Sequence, residues 1–309
     1  MILRRALTAV VFLPAVACGL GVIGVQPEDS ADAGPVLDGA AGQDASRDEL
    51  DAEDDRDPPR VQDPDADPPT SDAGEVFSAD AGPDAGPPPS CVKRALLLVD
   101  KEPTTESAMT AALGAAGFTV SAIADYSRSN GEGVAAFDPR VVVILAGVNY
   151  RLDMTTPLQA AVKTALMGGA GLVTEEWAGY EIVHSHFQTI APYILFSYST
   201  YTNAVTIELA RTVDHPIWVG LPASFKSAKK LALGVGKPRG SASQTIASAS
   251  SGSGGTQPGV IVQDNGKTRV AETTIAVDYY RDDSLNQDPN LERLFVNMAL
   301  WAAHCEVTP

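Results

Sequence analysis

Residues 141–147 read VVVILAG, and residues 155–179 read TTPLQAAVKTALMGGAGLVTEEWAG. The first run is unbroken, apolar and β-branched. With no polar residue alternating through it, a strand of this kind is covered on both faces. The second begins like a helix, with Thr156 as N-cap and Pro157 at the first helical position. Leu158, Ala161, Val162, Ala165 and Leu166 then recur at helical spacing until Gly168-Gly169 ends the pattern. Gly171–Val173 opens another apolar run. Strand, helix and strand joined by short connections predict a parallel β-α-β crossover, and hence an α/β sheet covered by helices.

The same grammar extends in both directions. Upstream, Ala95–Val99 (ALLLV) reads as a buried strand. Thr105–Ala116 reads as a helix with Met109, Ala112, Leu113 and Ala116 on one face and Gly117 as its stop, and Phe118–Ala122 as a second strand. Asp138-Pro139 introduces the run at 141. Downstream, Ala228–Val235, Gln244–Ala249, Gly259–Gln263 and Arg269–Val277 are strand candidates. The Ser/Gly run at 250–255 and Asp264-Asn265-Gly266-Lys267 are read as turns between them. Asp288 as N-cap and Pro289 as N1 predict a closing helix that buries Leu291, Leu294, Phe295, Met298 and Trp301 or Ala302. The fold class expected is α/β, with a mostly parallel central sheet and extra C-terminal β-strands.

Charge divides the chain. The whole carries a formal −17, yet residues 26–90 alone hold 19 acidic side chains against 3 Arg, and residues 91–309 are close to balance at −3. Residues 26–90 also contain 11 of the 22 Pro, a recurring DAG triplet (32–34, 72–74, 80–82, 84–86) and only six Leu, Val, Ile or Phe. So little apolar surface does not offset chain entropy, and residues 18–90 are expected to be a disordered acidic tether. Residues 91–309 then form the folded domain. No stretch supplies the basic face that a phosphate backbone requires, so nucleic acid is not an expected partner.

The first residues carry an address. Arg4 and Arg5 precede a 12-residue apolar run, Ala6–Ala17, and Cys18 follows. A charged start, a short apolar core and small residues at the junction predict an export signal over residues 1–17. Ala15-Val16-Ala17 suits ordinary signal peptidase. Placed before Cys18, it is also similar to a bacterial lipobox, which would make Cys18 a lipidation site and the membrane a partner. An uncleaved anchor is the remaining alternative. Lipidation of Cys18 would leave Cys91 and Cys305 as an even pair in an oxidising compartment; two unpaired buried cysteines are the other reading. On the chain-entropy model a bridge closing so long a loop contributes roughly 4–5 kcal/mol.

The run from Val141 to Gly179 resembles the trehalose-utilisation (ThuA)-like group of the class I glutamine amidotransferase-like superfamily. Asp214-His215-Pro216-Ile217 with Gly220-Leu221-Pro222, and Asp282–Ala303 (DDSLNQDPNLERLFVNMALWAA), are similar to the same group in the same order. The resemblance implies a flavodoxin-like sandwich with its site at the carboxyl ends of the strands, where open parallel sheets bind ligands. Asp100, Lys101 and Glu102, Asn149 and Tyr150, Glu175, Glu176 and Trp177, and Asp278 would line that crevice. The resemblance also implies a Cys nucleophile after the fourth strand, but Thr174–Gly179 holds neither Cys nor Ser. Glutamine hydrolysis is therefore not expected. The group's histidines are replaced by Glu176 and Val277.

Glu176, with Asp278 or Glu102, remains the candidate acid/base set, and Asp100, Asn149, Tyr150, Glu175 and Trp177 are the candidate binding residues. Alternation along a strand lets only one of Glu175 and Glu176 face the crevice. Glu181, His184 and His186 are of metal-ligand type, but on a helix an H-x-H pair does not share a face, and no metal or cofactor is expected. Asp214-His215-Pro216 reads as a turn rather than a dyad. Trp177, Tyr180, Tyr279 and Tyr280 could stack on sugar rings or pack the core. The function expected is a membrane-tethered binding or accessory module, with carbohydrate as the ligand class. A carbohydrate-processing hydrolase or isomerase and a structural envelope protein are the alternatives.

Overall fold

Two unbroken apolar runs lie side by side as parallel strands, β1 (Arg94–Val99) and β3 (Val141–Leu145), with Leu97 opposite Val143. The computed structural model describes residues 91–309 other than 102, 148, 150, 151, 253, 254 and 278–287. The signal over 1–17, Cys18 and the tether over 18–90 lie outside the described residues.

The chain continues from β1 through α1 (Pro103–Ala115), β2 (Thr119–Ile123), α2 (Glu132–Phe137) and β3 to α3 (Thr156–Met167) and β4 (Gly171–Thr174). Next come α4 (Glu176–Val183) and strands β5 (Phe196–Val205), β6 (Glu208–Arg211), β7 (Ser224–Lys226) and β8 (Leu231–Pro238). After β9 (Gln244–Ser250), β10 (Thr256–Asp264), β11 (Arg269–Thr273) and β12 (Ile275–Ala276), α5 (Pro289–Ala302) closes the fold.

Among the described residues nine strands form one sheet in the order β2-β1-β3-β4-β11-β10-β9-β6-β7, and β12-β8-β5 form a second. The first five strands of the large sheet run parallel and the remaining four pair antiparallel. The sheet is thus mixed, not mostly parallel. The C-terminal strands extend the same sheet because β11 pairs parallel with β4 and also antiparallel with β10, to which it is joined by a tight turn. In that turn Asp264 Oδ1 accepts from Gly266 N and Asn265 Oδ1 from Lys267 N and Thr268 N.

Alternation along the buried strands sorts the core onto two faces. Leu97, Val99, Val143, Leu145 and Val173 face one cluster with α1 and α5, whereas Leu96, Leu98, Val142, Ile144 and Leu172 face another with α3 and α4. The expected strand over Arg269–Val277 is instead two strands in two sheets. The break at Thr274 lets its N–H donate to Gly259 O, and its carbonyl accept from Gly234 N at 2.8 Å. The cap of α3 is Thr155, one residue before the expected Thr156, and its Oγ1 accepts from Leu158 N at 3.3 Å. Asp288 caps α5 as read, accepting from Asn290 N and Leu291 N.

Helix α5 lies close against β4. A Cβ on Gly171 would stand 2.2 Å from Ala302 O and 2.7 Å from Ala302 Cβ. The end of α5 is fastened to the start of β1, because Cys91 and Cys305 form a disulfide with Cα atoms 4.6 Å apart.

Two stability outcomes follow. Gly171→Ala forces α5 away from the sheet and should cost about 1–3 kcal/mol or more, read from urea denaturation. Cys91→Ser should lower stability by about 2–5 kcal/mol in non-reducing buffer. The parent chain in reductant should lose a similar amount, and an unchanged urea midpoint would contradict a stabilising bridge.

Candidate functional site

The carboxyl ends of β1, β3 and β4 and the segment after β12 meet at the turn from β4 into α4. Glu175 occupies that turn in extended conformation and Glu176 is the first residue of α4. Both glutamates are fully buried. Glu175 Oε1 accepts from Ala146 N at 2.9 Å, just past β3, and Oε2 accepts from Val277 N at 3.0 Å, just past β12. Its carboxylate is thereby committed to backbone. Glu176 packs over β8, where Gly234 provides the room: a Cβ there would lie 2.5 Å from Glu176 Cγ.

At the switch point between β1 and β3, Asp100 and Asn149 interlock. Asn149 N donates to Asp100 Oδ2 and Asn149 Nδ2 donates to Asp100 O, each at 2.5 Å. Lys101 turns outward with a positive φ of 77° and pairs through Nζ with Asp125 at 3.6 Å. Trp177 is buried, not facing an open crevice, with its ring 4.8 Å from Tyr180 and 5.7 Å from Tyr201. Tyr180 in turn meets Tyr198 at 5.4 Å and the exposed His184 at 4.0 Å. Tyr198 and Tyr201 are half-buried, so this aromatic group runs from core to surface. Glu102, Tyr150, Asp278, Tyr279 and Tyr280 lie outside the described residues.

Two further features stand out: Glu272, which the sequence did not single out, and a pair from the Glu181, His184 and His186 set. Glu272 on β11 stands in register with Thr174 of β4 and is fully buried. Its Oε2 accepts from Leu195 N at 2.5 Å and Phe196 N at 3.1 Å, which fixes the start of β5. Burial pushes its carboxyl up to about 8, against the two backbone N–H groups and Arg239, which favour the ionised form. The second feature is a carboxylate–imidazole pair. Glu181 is fully buried and bonded to His186 Nδ1, while His186 N donates to Glu181 O at 2.9 Å.

The turn carrying His186 is strained. Ser185 and Phe187 have φ of 65° and 53°, and Asp153 Oδ1 holds the turn by accepting from Phe187 N at 3.0 Å. The H-x-H pair therefore lies beyond α4, not within it. Among the described residues no group of three or more His, Cys, Asp or Glu could hold a metal ion. Asp214 pairs with Arg211 at 2.8 Å, while His215 Nδ1 accepts from Ile217 N at 3.3 Å, so Asp214-His215-Pro216 forms a turn.

No protein-family model matches the chain, and no curated protein matches it. Among solved structures it is similar to the cytoplasmic protein STM1381 of Salmonella typhimurium LT2, at 13% identity and a TM-score of 0.48, over 68% of this chain and 99% of that one. It is also similar to a GMP synthase-type protein from Thermoplasma acidophilum, at 12% identity and 0.43, over 69% and 96%. A β-galactosidase from Bacillus circulans sp. alkalophilus aligns at 11% identity and 0.47 over 70% of this chain and 32% of its own. At such scores these likenesses assign neither a family nor an activity.

Glu272 makes stability depend on pH. The unfolded chain ionises it near 4.5 and the folded chain near 8, so its contribution is fully present below 4.5 and is lost as pH rises toward 8. Glu272→Gln keeps an acceptor for Leu195 N and Phe196 N but has no proton to lose. It should match the parent at pH 4.5 and exceed it at pH 8.5 by on the order of a few kcal/mol in urea denaturation.

Proposed function

We propose that the chain is an exported, membrane-tethered domain of the class I glutamine amidotransferase-like kind, in its trehalose-utilisation-like branch, and that it binds a ligand without turning it over. The observation that carries this reading is Glu175. At the strand-to-helix turn, where the superfamily resemblance calls for a nucleophile, this carboxylate accepts backbone N–H groups through both oxygens. Attack on an amide needs a nucleophile and adjacent oxyanion donors in one geometry. Cys91 and Cys305 are joined to each other, so neither is a thiolate. The order β2-β1-β3-β4-β11 supports the flavodoxin-like assignment, since it follows the doubly wound order before the antiparallel extension begins.

Carbohydrate is the ligand class this reading favours. Tyr198, Tyr201 and His184 bring ring surface outward from the Trp177–Tyr180 core pair, and flat rings suit the apolar faces of sugars. Export and lipidation at Cys18 rest on the amino-terminal sequence, and a disulfide fits an oxidising compartment. Among the described residues no helix is long and apolar enough to cross a membrane, and the lipid at Cys18 is the proposed attachment.

Calorimetric titration against a panel of glycans tests the assignment. A bound glycan should lose about threefold to tenfold in affinity with Tyr198→Ala or Tyr201→Ala, while Glu176→Gln should retain most of it. Absence of binding across the panel, or thiol-dependent release of ammonia from glutamine, would overturn the reading.

A further inference from the structure

At the other end of the sheet, a cavity of about 490 Å³ opens between the start of β11 and the end of α5, and another of about 400 Å³ beside the amino ends of β3 and β4. In the larger, around His215 and Trp301, Arg269, His215 and Asp214 are engaged. Arg269 donates to Asp264 and to Trp301 O, His215 accepts from Ile217 N, and Asp214 pairs with Arg211. The smaller lies between α2 and α3 and differs in one respect. Its wall is mostly of short side chains, with Val134 and Ala135 from α2 and Ala161, Thr164 and Ala165 from α3, but it also contains Asp138 and Arg140.

Arg140 makes only backbone hydrogen bonds. Its N donates to Arg94 O and its O accepts from Gly171 N, both at 2.9 Å, whereas its guanidinium has no hydrogen-bond or ion-pair partner among the described residues, and its Nε is shut off from water. A guanidinium does not deprotonate in proteins, so the charge persists beside the apolar wall. The carboxylate in the same lining does not neutralise it. Asp138 is taken by Arg94, which donates through Nη2 to its Oδ2 and through Nε to its carbonyl oxygen at 2.8 Å. A buried donor without an acceptor is destabilising unless something else supplies the acceptor. An apolar chamber of this volume with one convergent charged group has the general form of a small-ligand site.

We propose that the α2–α3 cavity binds a medium-chain amphiphilic carboxylate, with its alkyl chain against Ala135, Ala161 and Ala165 and its carboxylate on the Arg140 guanidinium. A carboxylate fits because two oxygens can accept the planar fork. The alkyl chain fits because the Ala and Val side chains leave space without offering hydrogen bonds, and the Thr164 hydroxyl beside them already donates to Ala160 O. This site is independent of the strand-end crevice and of any ligand bound there.

The test is calorimetric titration of the full chain with sodium decanoate below its micelle concentration, with 1-decanol and sodium acetate as the uncharged and tail-less probes. Decanoate should bind one to one and acetate should not bind detectably. Arg140→Gln should weaken decanoate by about tenfold or more, as expected for loss of a charge-assisted pair, and leave decanol unchanged. Ala165→Leu, which fills the chamber, should abolish both. The guanidinium holds nothing else among the described residues, so the thermal midpoint of Arg140→Gln should not fall. Failure of decanoate to bind, equal affinity of the parent and Arg140→Gln for decanoate, or binding that survives Ala165→Leu would overturn the proposal.

Discussion

The carboxylate of Glu175 ties together two distant parts of the chain at the strand ends. One oxygen takes the N–H just past β3 and the other takes the N–H just past β12, 102 residues downstream. Both N–H groups are at strand ends, where no ladder partner remains for them, and both are buried. A buried donor without a partner is costly, so a side chain that satisfies two at once fixes the local geometry strongly. The parallel half of the large sheet, the small β12-β8-β5 sheet and the start of α4 all converge on this residue.

The same use of buried carboxyls recurs nearby. Glu272 fixes the start of β5, Glu181 orients His186, and Asp100 locks the segment around Asn149. Acidic residues gathered at the carboxyl ends of a parallel sheet would ordinarily suggest acid/base chemistry. Here the described bonds of Glu175 and Glu272 go to backbone N–H groups, which ties these two to architecture. Glu272 shows what that costs: burial pushes its carboxyl up to about 8 even though the N–H donors it accepts from favour the ionised form.

At the opposite end the constraints are apolar and covalent. Helix α5 presses on Gly171 closely enough to exclude a Cβ, and Cys305 beyond it is bonded to Cys91 ahead of β1. The first and last parts of the described domain are thus joined on the face where α1 and α5 share a core. The chamber between α2 and α3 belongs to the other face. Short side chains there leave space that the core proper does not, and the Arg140 guanidinium, without a partner among the described residues, sets it apart from a packing defect.

Local patterning carried much of the fold. Unbroken β-branched runs such as VVVIL at 141–145 read as strands buried on both faces, and the Thr156-Pro157 start, one residue past the observed cap Thr155, and the Gly-Gly stop framed α3. Asp288-Pro289 framed the start of α5 to the residue, because these signals act within one helical turn. Three features were settled by tertiary structure alone. The mixed character of the sheet depended on β11 choosing β4 as a parallel neighbour, a pairing across nearly a hundred residues. The break at Thr274, which reads as continuous strand, came from hydrogen bonds to Gly259 and Gly234 on other strands. The roles of Glu175 and Glu272 were decided by which backbone N–H groups lay within reach, and that of Glu176 by the room Gly234 leaves for it. A glutamate's sequence neighbours reveal its chemistry but not its burial, and burial determined whether each carboxyl faced a ligand or held the backbone.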